Sequence, residues 1–359
     1  MIMSVSRINA IRKALKAENL DGFIVNDLAH IRYLTAFAGS AGLLAISRTN
    51  ALLMVDFRYT DQAKKQASGV KVVQAKGTAV AELKNHPEFN AKNMRYGISS
   101  EAVNLTTLDV FEKALPDSLI VRSDSITAEL GWVKDRSEIA SIKKAVKISD
   151  TAFERILSLV APGIRERELA AELEYQMMML GSEKPAFETI IASGWRAALP
   201  HGLASDKKLK RGEFVTFDFG AVCDGYCSDI TRTVVVGKAN SRQKKIYKIV
   251  AQSQLAGIRK VKAGVAAKAV DDACRKPITK AGYGKNFGHG TGHGIGIVIH
   301  TGPRVSPLSN DKLKPGNVIT IEPGIYISGW GGVRIEDDVL VTRSGGQVLN
   351  KAEKKLLEL

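Results

Sequence analysis

One pattern occurs twice in the C-terminal two-thirds of this chain, and it limits what the chain can fold into more than any other feature. The first copy runs Leu209-Lys210-Arg211-Gly212-Glu213-Phe214-Val215-Thr216-Phe217-Asp218-Phe219-Gly220. The second runs Leu313-Lys314-Pro315-Gly316-Asn317-Val318-Ile319-Thr320-Ile321-Glu322-Pro323-Gly324. Leu, Lys, Gly, Thr, a carboxylate and Gly recur at one constant offset. Each copy turns and runs into a second acidic segment, Ser228-Asp229-Ile230-Thr231-Arg232 and Arg334-Ile335-Glu336-Asp337-Asp338. Both read as β-hairpins that bring two carboxylates together, with Gly225 and Gly331-Gly332 as turn residues. Alternation along a strand sends Val215, Phe217 and Phe219 one way and Thr216 and Asp218 the other. In the second copy Ile319 and Ile321 oppose Thr320 and Glu322. Carboxylates on strands this apolar are at least half buried, and four of them repel one another. Cations relieve that repulsion, so the pattern asks for metal.

The chain has 359 residues, too many for one ordinary core, so two domains are expected. Residues 1–125 alternate helix-like and strand-like segments and form a compact α/β domain. Residues 126–136 read as a linker and 137–359 as the second domain. The second domain follows the order helix, hairpin, two helices, histidine loop, hairpin. A repeated half of this kind would place both hairpins in one sheet, with helices outside. Ser137 reads as the cap of its first long helix, and Pro277 should kink or break its last. Met177-Met178-Met179 reads as core filling. His30 and His86, in the first domain, read as surface or capping residues. Arg58 and Tyr59 follow a strand and fit either a site edge or a packing role.

No apolar segment reaches membrane-spanning length, and no secretory leader is visible at Met1-Ile2-Met3-Ser4. Three cysteines (Cys223, Cys227 and Cys274) fit a reducing, cytoplasmic setting. Cys223 and Cys227 read as small buried side chains, because the surrounding oxygen donors suit harder metals. A net charge of +15 raises nucleic-acid binding. The lysines are spread along helix faces and loops without interleaved aromatics, which is the pattern of a solvated basic surface. No nucleic acid and no membrane is therefore expected as a partner. The run Phe287-Gly288-His289-Gly290-Thr291-Gly292-His293-Gly294-Ile295-Gly296 lacks the placed Lys or acid of a phosphate loop. Its glycines instead let the backbone come close to a site that His289 or His293 reaches.

Asp218, Asp229, Glu322, Glu336 and one histidine make a set of four carboxylates and one imidazole. That set favours Mn²⁺, Fe²⁺, Co²⁺ or Zn²⁺ over thiophilic ions. Two divalent cations balance four negative charges, and two metals about 3.5 Å apart lower the pKa of a shared water. A plainer alternative pairs Asp229 and Glu336 with Arg232 and Arg334.

These segments, in this order, resemble those of the pita-bread metallopeptidases, which include Xaa-Pro aminopeptidases, prolidases and methionine aminopeptidases. The resemblance rests on Phe217–Gly220, Ser228–Arg232, Gly290–Gly296, Ile321–Gly324 and Val333–Asp337. It covers nearly the whole chain. It implies an α/β protein of two domains: an N-terminal creatinase-like α/β domain and a C-terminal pseudo-twofold pita-bread (α+β) catalytic domain. It implies that Asp218 chelates one metal, that Asp229 and Glu336 bridge two, and that His293 and Glu322 complete the other. Glu322 would also be a general base. His201 and His300 would contact substrate and stabilise the tetrahedral intermediate. His289 and Arg304 would be further substrate contacts. Ile31–Gly42 and Asp56–Tyr59 are similar to the N-terminal domain of proline-specific members. One departure is Thr301, where many relatives carry Glu directly after the second histidine. The resemblance implies a cytoplasmic, dinuclear exopeptidase of the Xaa-Pro aminopeptidase type, using Mn²⁺ with Co²⁺, Zn²⁺ or Fe²⁺ as alternatives, that cuts the Xaa-Pro bond of short peptides with proline second. A homodimer is implied as well. The alternatives are a prolidase restricted to Xaa-Pro dipeptides, a non-catalytic basic binding protein on the same fold, and a metal-free creatinase-type hydrolase.

Overall fold

A computed structural model describes residues 2–359. The chain divides into two compact units, Met1–Gly131 and Trp132–Leu359. Among the described residues no helix is long and apolar enough to cross a membrane.

The first unit opens with α1 (Ile2–Ala17), β1 (Gly22–Val25) and α2 (Leu28–Thr35). It continues through β2 (Leu43–Ser47), β3 (Ala51–Val55), α3 (Thr60–Gln66) and β4 (Lys71–Gln74). It ends with β5 (Arg95–Ile98), α4 (Leu105–Ala114), β6 (Leu119–Arg122) and the single turn α5 (Ser125–Ala128). The strands make one mixed sheet in the order β4-β3-β2-β1-β5-β6. β1, β2 and β3 are buried along their whole length, as their unbroken apolar runs require. His30 stands beside the helix cap it was expected to serve: its N–H donates to the Asp27 carboxylate at 2.8 Å.

The second unit begins with α6 (Arg136–Ile156) and α7 (Glu166–Met179), then β7 (Ile190–Ser193) and β8 (Phe214–Phe219). The α6 cap is Asp135 rather than Ser137. Its Oδ1 accepts from the N–H groups of Ser137 and Glu138 while Glu138 Oε2 accepts from Asp135 N, a closed capping box. Within the methionine run only Met177 is core; Met178 and Met179 are 61 and 65 % exposed, since three consecutive helical residues cannot share one face.

A small hairpin, β9 (Val222–Cys223) and β10 (Tyr226–Cys227), leads from β8 into β11 (Ile230–Val235). Next come α8 (Ser241–Lys260), α9 (Ala267–Lys280), β12 (Gly292–Gly294) and β13 (Thr301–Val305). α9 runs through Pro277 without a break. Last come β14 (Val318–Ile321), β15 (Gly324–Ile327), β16 (Gly331–Arg334), β17 (Asp337–Val341) and β18 (Gly346–Val348). The two copies thus share one plan. β8 pairs antiparallel with β11 across the β9–β10 hairpin, and β14 pairs antiparallel with β17 across the β15–β16 hairpin.

The expectation of one common sheet does not hold. The first copy lies in a three-stranded sheet, β11-β8-β7, and the second in a five-stranded sheet, β13-β12-β14-β17-β18. Each has its own core. Phe217 and Phe219 pack edge-on and stacked against Phe153 of α6, at 5.7 and 6.3 Å between ring centres. Ile319 and Ile321 pack with Val250, Val270 and Cys274 of α8 and α9. Burying each such side chain contributes about 1.5–3 kcal/mol over leaving it exposed. Cys223, Cys227 and Cys274 are all free thiols, and Cys227 and Cys274 are buried.

Side chains knit the seam between the two sheets. Arg232, 1 % exposed, donates to the carbonyls of Thr231 and Ala352 at 3.0 Å, to Glu336 O and to Asp337 Oδ1. Asp337 also accepts from Gln254 and Lys354. Arg232 therefore pairs with Asp337, not Asp229. Removing one partner of such a buried pair costs about 3–5 kcal/mol because the other charge stays buried. Arg232→Met should lower the urea unfolding free energy of the protein by that amount. A loss below about 1 kcal/mol would show that the seam is held otherwise.

Candidate active site

A paired strand places one of the acids and strand ends place the other three. Asp218 is the fifth residue of β8, on the face opposite Phe217 and Phe219, and it pairs with Thr231 across the ladder. Asp229 immediately precedes β11. Glu322 follows the end of β14, and Glu336 precedes β17. Three of them, Asp218, Asp229 and Glu336, each offer a carboxylate oxygen within 4.8 Å of the others. The fourth acid enters through His293, whose Nε2 lies 3.6 Å from Asp229 Oδ2 and 3.5 Å from Glu322 Oε1. The structure therefore gathers Asp218, Asp229, His293, Glu322 and Glu336 at one place. They line a cavity of about 490 Å³ together with His201, His289 and His300.

Hydrogen bonds fix each acid. Thr231 Oγ1 donates to Glu336 Oε2 at 2.6 Å, and Thr320 Oγ1 stands 3.1 Å from Glu322 Oε1. The backbone N–H of Asp229 donates to Asp338 Oδ2 at 3.0 Å. Asp218 is ion-paired to Arg334, whose guanidinium also donates to Thr231 Oγ1 at 3.0 Å, the Tyr326 hydroxyl at 2.9 Å and Pro200 O at 3.3 Å. The plainer alternative thus fails in its pairing: Arg334 takes Asp218, and Glu336 takes a threonine. Consecutive acids also separate by alternation. Glu336 faces the cavity, Asp337 faces Arg232, and Asp338 faces the Asp229 backbone.

The donor set fits a divalent cation. Asp229 Oδ1 and Glu336 Oε1 are buried without any hydrogen-bond partner, although a buried carboxylate oxygen is costly to leave unmatched. Burial, then the neighbouring carboxylates, pushes both acids well above the usual range. Burial pushes Glu322 up to about 8 against the opposing pull of Arg334. Burial and then the adjacent His300 push His293 down to about 4, which leaves its imidazole neutral and able to ligate. Oxygen donors with one nitrogen match hard and borderline ions.

The histidines reach the cavity from three loops. His289 is held between Gly290 O at 2.7 Å and the Tyr326 hydroxyl at 2.8 Å, and burial pushes it down to about 4. The His300 ring lies edge-on to His293 at 4.5 Å between centres. His201 follows Pro200 on the loop after β7 and is exposed at the cavity wall. Arg304 differs: it is exposed on β13, its backbone N–H donates to Asp311, and the structure does not bring it to the cavity wall. Thr301 opens β13 and pairs with Gly294. Phe187, Ile190 and Leu203, which supply apolar wall, were not singled out from sequence. Neither was Tyr326. No local signal marks them, since each is an ordinary strand or loop residue in the sequence.

The chain matches two family models: the Creatinase/Prolidase N-terminal domain over residues 7–130 and Metallopeptidase family M24 over residues 140–343. It is 40 % identical over 354 residues to the uncharacterized peptidase YqhT of Bacillus subtilis, covering 98 % of this chain and 100 % of that one. It is 37 % identical to the Xaa-Pro dipeptidase of Pyrococcus horikoshii, covering 98 % of each chain. Among solved structures it is similar to the Xaa-Pro dipeptidase from Bacillus anthracis, with TM-score 0.95, 41 % identity and 99 and 100 % coverage. It is also similar to the X-Pro aminopeptidase from Thermotoga maritima, with TM-score 0.89, 36 % identity and 96 and 99 % coverage. With these matches over both units, the chain belongs to the M24 metallopeptidases: it is a two-domain enzyme with a creatinase-like N-terminal domain and a pita-bread catalytic domain.

Proposed function

We propose that this metallopeptidase uses two divalent cations to hydrolyse the Xaa-Pro bond of short peptides. Asp218, Asp229, His293, Glu322 and Glu336 would hold the ions, Asp229 and Glu336 bridging both. The observation that carries this reading is the pair of buried, unpartnered oxygens on Asp229 and Glu336, which face a cavity ringed by the other three donors. Two such ions, when bound, supply a Lewis acid for the carbonyl and a nucleophile from water at neutral pH. The acid-rich set favours Mn²⁺, with Co²⁺, Zn²⁺ and Fe²⁺ as substitutes.

The protein's own groups do the rest. Glu322, beside His293 and at the cavity wall, accepts the proton of the attacking water. His201 and His300 donate to the developing oxyanion and to the leaving nitrogen. His289 contacts the substrate from the glycine-rich loop. An Xaa-Pro bond offers no N–H, so a site that grips carbonyl oxygen and leaving nitrogen loses nothing with proline.

Peptide length is the finer choice. The relatives named Xaa-Pro dipeptidase support the dipeptidase reading, and the one named X-Pro aminopeptidase supports the aminopeptidase reading. With Mn²⁺ supplied, the protein should cleave Xaa-Pro dipeptides at least about tenfold faster in kcat/KM than Xaa-Pro-Xaa tripeptides. The reverse order would make it an aminopeptidase, and no cleavage of either would end the proline-specific reading. A cytoplasmic homodimer completes the proposal.

A further inference from the structure

We propose that Glu166 is a positioning residue for His201: with Arg196 it clamps both stems of the loop that carries this histidine. Glu166 opens α7, far in sequence from the acid cluster, and its side chain is 0 % exposed. Its two oxygens accept five hydrogen bonds, all from the loop and its stems. Oε1 takes Ser193 N at 2.7 Å and Ser193 Oγ at 2.8 Å, at the end of β7. Oε2 takes Arg196 Nε at 3.0 Å, Ser205 N at 3.1 Å and Ser205 Oγ at 2.6 Å. Ser193 ends β7 and Ser205 lies beyond His201, nine residues before β8, so one carboxylate fixes both ends of the segment that carries this histidine. Arg196 extends the clamp, because its Nη2 donates to Leu203 O at 2.6 Å, two residues past His201.

The α7 terminus closes around the same stem. Its first N–H groups lack helical partners; that of Glu166 donates to Lys207 O and that of Arg167 to Ser205 O, both at 3.0 Å. On the loop's other side Gly332 lies under Ala197, where a Cβ would come within 2.1 Å of the Ala197 oxygen. A buried carboxylate with five donors is far more than a helix start needs, since the capping oxygen for Arg165 N comes from Glu168. Five charge-assisted bonds converge instead on a segment whose Trp195, Leu199, His201 and Leu203 side chains are exposed, with His201 at the cavity wall. A shift of about 1 Å in such a group is enough to cost on the order of a hundredfold in rate.

The catalytic half of this proposal rests on the reading that His201 contacts the substrate, and the experiment separates the two. Arg196→Ala, Arg196→Lys and Glu166→Gln are made in the full-length protein, and Arg196→Ala also in a His201→Ala background. Kinetics use one Xaa-Pro dipeptide with Mn²⁺. Arg196→Ala should lower kcat/KM about tenfold with His201 present and less than twofold without it, because the effect acts through that histidine. Arg196→Lys should recover part of the loss. Bound metal per chain should not change. Amide exchange across residues 194–204 should quicken at least about tenfold in Arg196→Ala and Glu166→Gln while β8 and β11 stay protected. An equal fall in both backgrounds, or no fall, overturns the positioning role. Unchanged exchange in both variants overturns the clamp, whatever the activity. Full activity of His201→Ala removes His201 from the reaction and the catalytic half of the proposal with it, while the exchange result still decides the clamp.

Discussion

Asp229→Asn should leave the protein folded and unable to hold its metal, with kcat/KM down about a thousandfold or more. The expectation follows from where Asp229 sits. Its Oδ1 is buried with no partner, its Oδ2 is 3.6 Å from His293, and its backbone is held by Asp338. Of the five donors it has among the fewest hydrogen bonds of its own and the most carboxylate neighbours. Replacing it removes a ligand proposed to serve both ions. Lewis-acid stabilisation is worth several kcal/mol, and each 1.36 kcal/mol is a factor of ten, so about 4 kcal/mol gives the thousandfold. Stability should move the other way. With one buried like charge gone, chelator-treated Asp229→Asn should melt above chelator-treated wild type, and added Mn²⁺ should not raise it further. Metal analysis, kinetics and thermal melts on the two proteins check this. Retained metal with retained activity would remove Asp229 from the site. A collapse of the chelated variant would mean that Asp229 is structural.

The second large effect is the pH dependence of metal-free stability. Burial raises Asp229 and Glu336 well above the usual carboxylate range and Glu322 from 4.5 to about 8. Unfolded, these acids release their protons near pH 4. Through these acids the folded state binds more protons than the unfolded one up to about pH 8, while His289 and His293, held neutral down to about 4, act the opposite way below pH 6.5. Above pH 6.5 the acids act alone, so chelator-treated protein should melt progressively lower from pH 6.5 to pH 8. Cations replace protons in the cluster, so saturating Mn²⁺ should oppose that fall most strongly at the alkaline end. A thousandfold excess over Kd adds about 4 kcal/mol, which is about 8–16 °C for a unit of this size. The gap between loaded and chelated midpoints should widen with pH. A gap that is constant or narrows would mean that the acids are not the groups the metal relieves.

Much of the site was legible because it obeys two short-range rules. The period of two in a strand put Phe217 and Phe219 on the core side and Asp218 on the other, and the packing against Phe153 follows that alternation. The repeat marked Glu322 as the counterpart of Asp218, and the glycine density around His293 marked a close backbone approach. Gly292 and Gly294 bear this out: a Cβ on either would come within 2.0 Å of a neighbouring carbonyl oxygen, Thr320 O and Gly302 O respectively. Sequence rules failed where several similar groups competed for one partner. Arg232 and Arg334 looked interchangeable as partners for Asp229 and Glu336, yet they chose Asp337 and Asp218. Ser137 and Asp135 were both fit to cap α6, and the capping box with Glu138 selected Asp135.

By itself the sequence determined which carboxylates converge and that the two halves share one plan, because covalent spacing and strand period act over a few residues. Only the tertiary structure decided that the repeats stand in two sheets joined by buried side chains, that Arg334 is bound to Asp218, and that Glu166 holds the His201 loop. Those pairings link residues from about thirty to more than one hundred positions apart. The packing of helices on each sheet fixes which donor reaches which acceptor, and a buried charge takes the partner that packing leaves nearest.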